Sequence, residues 1–157
     1  MTTFKEFLIE SEEKKDTNEI LKKIPKSHAD LVKGFKFIWQ AGNTLKGDND
    51  HTGIIDPKKK TITLSGGWRY PRSFTFLHEL AHQVYAYLNH DLKAKWAKLL
   101  KQTIDEQKEK LKQANRSIDA LNQNEEEIFC MAYASTYTNH APIIFHNKEW
   151  EKFIKTI

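Results

Sequence analysis

The 157-residue chain contains a single cysteine, Cys130. No intrachain disulfide can form, and no cysteine-rich zinc knuckle can be assembled. This usage is compatible with a reducing compartment and equally with an exported protein that has no disulfides. Long apolar runs are missing too. The opening residues, "MTTFKEFLIESEEKK", carry no hydrophobic stretch of the signal-peptide kind, and no later run approaches the roughly 20 apolar residues needed to cross a bilayer. The chain as given is expected to be soluble and cytoplasmic, with a secreted mature form or leaderless export as the alternative. An excess of one charge is also lacking. The 25 basic and 21 acidic side chains leave +4, which specifies neither nucleic acid nor membrane as a partner. There is no internal repeat and no sustained heptad pattern.

What is present fits one soluble globular domain over residues 1–157, with 39% hydrophobic and 29% charged residues. Residues 1–33 read as a helical N-terminal portion. Phe4, Phe7 and Leu8 share one helical face, Ile20, Leu21 and Ile24 another, and a short helix over "HADLV" is closed by Gly34. "FKFIW" alternates as a strand. "TGIID", "PKKK" and "TITL" read as a hairpin with Pro57 in the turn and β-branched residues on both arms. A histidine-bearing helix follows. Asp91 to about Ile118 is a second, with Trp96, Leu99, Leu100, Thr103, Ile104 and Leu111 as its apolar stripe and its lysines as a solvated face. Helices beginning near "NEEE" and ending in Trp150, Phe153, Ile154 and Ile157 complete an α+β arrangement, in which a small twisted sheet lies over the histidine helix and the C-terminal half is helical.

The chemistry is concentrated in "FTFLHELAHQVY". Residues four apart on a helix lie one above the other, so His78 and His82 can aim two imidazole nitrogens at one point. Glu79 lies about 100° around the helix from His78, where a carboxylate can serve as general base to a water beside a metal. A chain of this composition acquires such a pattern by chance about one or two times in a hundred, so its setting matters. Here it sits in an apolar helix, where two histidines and a glutamate are costly unless paired or metal-bound. A catalytic zinc takes three protein ligands and keeps one position open. None of the other five histidines lies on an obvious second ligand-bearing helix. The better source is "NEEEIFCMAY", in which Glu127 begins the turn leading to the inward residues Met131 and Ala134. Glu126 is the second choice, while Glu125 caps the helix or faces solvent.

With both motifs in place, the chain resembles the zinc peptidases related to the anthrax lethal factor catalytic domain and the clostridial Pro-Pro endopeptidase. In that family the HExxH helix is completed by a glutamate on a later helix, in a setting similar to Asn124–Tyr133 here. The tail "APIIFHNKEWEKFIKTI" is also similar, and the resemblance covers residues 34–157. It implies a zincin-like fold of the gluzincin type, one Zn2+ per chain held by His78, His82 and Glu127, and Glu79 as catalytic base. The implied activity is hydrolysis of internal peptide bonds in an extended protein or peptide added to a sheet edge. Neither nucleic acid nor membrane is expected as a partner. Two positions depart from the family. Its oxyanion-stabilising tyrosine, seven residues before the third ligand, is replaced by Ala120, and a supporting glutamate one turn after that ligand by Met131. Losing outer support weakens a metal site, whereas losing an oxyanion donor costs about 3 kcal/mol of catalysis. The competing expectation is therefore a zinc-binding toxin, immunity or regulatory protein with weak or no activity. Tyr137 is the candidate replacement donor, and Tyr70, His51 and Ile54 are candidates for the substrate cleft.

Overall fold

The computed structural model describes residues 16–40, 53–65, 71–138 and 146–157. The first amphipathic stretch around Phe4, Phe7 and Leu8, the loop with His51, the connection with Tyr70, and Phe145 lie outside them. Helix α1 is described over residues 16–21, and α2 spans Lys26–Asp30 behind Pro25. Three strands follow, β1 (Lys36–Gln40), β2 (Gly53–Asp56) and β3 (Thr61–Ser65). Helices α3 (Arg72–Tyr87), α4 (His90–Gln113), α5 (Glu125–Tyr137) and α6 (Lys148–Thr156) make up the rest, with a 3-10 turn at Asp119–Asn122. The result is an α+β fold: a small open sheet, then a helical C-terminal half.

The sheet order is β1-β3-β2. The hairpin expected from Pro57 is present: β2 runs antiparallel to β3, placing Ile55 opposite Ile62 and Gly53 opposite Leu64. Lys60 closes its turn with φ 51°, and Asp56 Oδ1 accepts from the backbone N–H groups of Lys58 and Lys59 at 3.0 Å. β1 joins the other side of β3 in parallel, pairing Phe37 with Ile62 and Trp39 with Leu64. Side chains alternate between sheet faces, so Phe37, Trp39, Ile55, Ile62 and Leu64 share the face that packs on α3. Phe37 meets Phe76 of that helix edge-on at 5.1 Å, and the Arg72 guanidinium lies 5.0 Å from the Trp39 ring.

α3 packs most extensively against α5, and this pair is the centre of the core. Phe74, Phe76, Leu77, Leu80, Ala81 and Val84 of α3 are buried, as are Ile128, Phe129, Ala132, Tyr133 and Ala134 of α5. α4 ends earlier than its composition predicts. Asn115 adopts φ 55°, a left-handed conformation that asparagine tolerates and that ends a helix, and the Arg116 N–H turns back to the Leu111 carbonyl at 2.8 Å. Trp96 of α4 is fully buried, its ring centroid 5.6 Å from Phe129, 6.0 Å from Trp150 and 5.5 Å from Phe153. Gln107 interrupts the apolar stripe and is buried, where it accepts a hydrogen bond from Asn147 at 3.2 Å. The N-terminal portion docks through a polar contact, because buried His28 Nδ1 lies 2.9 Å from the Tyr133 hydroxyl. Burial holds the His28 pKa below its ordinary value and raises that of Tyr133. Among the described residues, no helix is long and apolar enough to cross a membrane.

Candidate metal centre

Pro71 precedes α3 without a side-chain cap, and its fixed φ suits the start of a helix. Four residues apart on this helix, His78 and His82 place their ring centroids 5.2 Å from each other. Both remain partly accessible, at 14% and 20% of their side-chain surface. Glu127 approaches from the first turn of α5. Asn124 caps that helix by accepting from the Glu127 backbone N–H at 2.9 Å, which holds the turn that presents the carboxylate. His78 Nε2 lies 3.2 Å from Glu127 Oε2, and His82 Nε2 lies 3.4 Å from Glu127 Oε1. One ligand atom from each of the three residues falls within 4.8 Å of the other two.

These separations discriminate between two uses of the cluster. Charge-assisted N–H···O bonds are about 2.7–2.9 Å long. Neighbouring donors around a tetrahedral zinc with bonds near 2.1 Å are instead about 3.4 Å apart. The 3.4 Å contact from His82 to Glu127 matches the second spacing, and the 3.2 Å contact from His78 lies closer to it than to the first. The contact from His82 Nδ1 to Glu126 Oε1, at 2.8 Å, matches the first. Glu126 therefore meets the ring nitrogen that points away from the cluster, and it is not one of the three converging residues. Glu125 is exposed, and its backbone carbonyl accepts from the Trp96 indole at 2.9 Å. Two imidazoles and a carboxylate on rigid helices suit a divalent zinc ion. Cys130 is buried, and burial first, then the negative charges of Glu127, Glu126 and Glu79, push its thiol well above the ordinary value. A protonated thiol is not a metal ligand.

Glu79 is 7% exposed and lies directly beneath β2. A Cβ at Gly53 would fall 2.7 Å from Glu79 Cγ and 2.8 Å from Oε1. The backbone of the edge strand thus presses on the carboxylate, and only a residue without a side chain fits there. Substituting Gly53→Ala is expected to cost about 1–3 kcal/mol by overpacking. Most of that cost should disappear in a Glu79→Ala background, as the coupling in a double-mutant cycle of thermal or denaturant unfolding. Additive effects of the two substitutions would show that Gly53 does not shape the glutamate's position.

The other sequence-based candidates are distributed differently. Tyr137 lies ten residues along α5 from Glu127, about 15 Å by helical rise, with its ring 5.0 Å from Tyr133. It is not among the residues that converge with His78 and His82. Ile54 is 45% exposed and alternates with Gly53, so its side chain occupies the sheet face turned away from Glu79. His51 and Tyr70 are outside the described residues. Ala120 lies in the 3-10 turn and Met131 packs partly buried against the core, so neither supplies a polar group. Sequence reasoning missed the close approach at Gly53 and the hydrogen bond from His82 Nδ1 to Glu126. The first left only a glycine at a strand start as its signal, and the second depends on which ring nitrogen faces which helix. Searches of family models, curated proteins and solved structures return no match to this chain.

Proposed function

We propose that the protein is a zinc-dependent endopeptidase that hydrolyses internal bonds of extended peptides, and that its kinship lies with the lethal factor and Pro-Pro endopeptidase group it resembles. The observation that carries this reading is the placement of both Glu127 oxygens at ligand spacing from His78 and His82 Nε2, with Glu79 on the same helix. Zinc bound there would polarise the scissile carbonyl and make water a competent nucleophile near neutral pH. The protein's own groups do the rest. His78, His82 and Glu127 hold the ion, and Glu79 accepts the proton of the attacking water. As the carbon–nitrogen bond breaks, Glu79 returns that proton to the departing amine. Its buried setting beneath Gly53 keeps the carboxylate oriented for both transfers. β2 pairs with β3 on one side only among the described residues, which leaves an edge where an extended substrate can add as a further strand.

A second reading has its own observation. Ala120 places a methyl group where the resembling family carries a phenol, and Tyr137 is ten residues further along α5 than Glu127. This favours a domain that binds zinc yet cleaves little or nothing. One experiment addresses both. Protein purified without added metal is expected to carry close to one zinc per chain, sharply reduced by Glu127→Ala, and to cleave members of a peptide library. Metal without cleavage would support the inactive reading. Absence of metal even after zinc is supplied would overturn both.

A further inference from the structure

We propose that Glu126 is a positioning residue, which locks His82 in the tautomer that presents Nε2 to the metal. The inference rests on the zinc reading given above, and it assigns a role to a carboxylate that does not touch the ion. His82 is held from two sides by consecutive residues of α5. Glu126 Oε1 is 2.8 Å from Nδ1, while Glu127 Oε1 is 3.4 Å from Nε2. Consecutive residues on a helix point about 100° apart, and this divergence lets the two carboxylates reach opposite edges of one ring.

The chemistry follows from what each group can donate. A carboxylate only accepts, and a neutral imidazole has one N–H and one lone pair. The short contact therefore puts the proton on Nδ1 and leaves the Nε2 lone pair free, on the side where His78 and Glu127 converge. A negative charge hydrogen-bonded to Nδ1–H also makes Nε2 a stronger donor. The arrangement is anchored beneath, because Asn124 Oδ1 caps the same turn through the Glu127 N–H. The Trp96 indole holds the Glu125 carbonyl at 2.9 Å. Glu126 is thus supported from the backbone although its own side chain is 44% exposed.

The test compares wild type, Glu126→Ala and Glu126→Gln by zinc affinity, measured in competition with a chromophoric chelator, with thermal unfolding as the check on folding. Glu126→Ala is expected to weaken zinc binding about 10- to 100-fold. Glu126→Gln should lose less, since its amide oxygen still accepts from Nδ1–H. A metal-independent readout accompanies it. In the zinc-free protein, under alkaline conditions that keep imidazoles neutral, the His82 15N resonances should report Nδ1 protonated and Nε2 bare. That preference should relax in Glu126→Ala. Wild type that binds zinc alongside an Ala variant of equal affinity and unchanged tautomer would overturn the proposal and leave the metal centre standing. Abolished binding in Glu126→Ala with full binding in Glu127→Ala would overturn it by making Glu126 the ligand. Wild type that binds no zinc would overturn the zinc reading, and the role assigned to Glu126 with it.

Discussion

Glu79→Gln is expected to leave zinc bound and to lower peptide hydrolysis by about 100- to 10,000-fold, the range contributed by a positioned general base. Glutamine keeps the length and shape of the side chain, so the contact with Gly53 survives. What it loses is the ability to take up a proton and give it back. Glu79 is also separate from the ligand set, since the converging atoms belong to His78, His82 and Glu127. Zinc content should therefore stay at the wild-type level while turnover collapses. The measurement is the cleavage rate of a library peptide on which the wild-type protein acts, with metal quantified on the same samples. Undiminished turnover would remove Glu79 from the mechanism, and loss of zinc would move it into the coordination sphere.

Trp96→Ala is expected to cost about 3–5 kcal/mol, a large share of the roughly 5–15 kcal/mol that holds a domain of this kind together. The ring is fully buried against Phe129, Trp150 and Phe153, so α5 and α6 both lose their shared partner on α4. Its indole N–H is also the donor to the Glu125 carbonyl at the start of α5. Trp96→Phe separates the two contributions. It retains most of the aromatic packing, loses the hydrogen bond at about 1 kcal/mol, and loosens the turn that carries Glu126 and Glu127. Denaturant unfolding of both variants reads the difference. An alanine variant within about 1 kcal/mol of wild type would show that the cluster around Trp96 repacks.

Local repetition explains which parts could be read in advance. His78 and His82 are legible because the helical period alone puts them on one face, and the hairpin because Pro57 and three lysines lie between two β-branched runs. Glu127 was reachable because it begins the turn leading to Met131 and Ala134, of which Ala134 is buried and Met131 partly buried against the core. Contacts between distant segments were not reachable in this way. Nothing near His28 announces Tyr133, 105 positions later, and nothing near Gln107 announces Asn147, 40 positions later. The order β1-β3-β2 is equally hidden, because the strand that precedes the hairpin joins its second arm rather than its first. Glu126 and Glu127 look alike in sequence, and only the orientation of the His82 ring tells them apart.

The arrangement of α3, α4 and α5 also bears on the order of events during synthesis. The hairpin and α3 are contiguous in the chain, so two histidines and Glu79 arrive together, on a segment whose β2–β3 contacts are local. Glu127 follows His82 by 45 residues, most of them spent building α4. At the usual elongation rates this interval lasts roughly 2 to 9 s. Hairpins close within microseconds, so the histidine face can be formed long before its carboxylate partner exists. A ribosome-bound chain at that stage would hold a divalent ion weakly, through two nitrogens. The complete three-residue cluster would thus be withheld from the nascent polypeptide until α5 emerges and docks on α3.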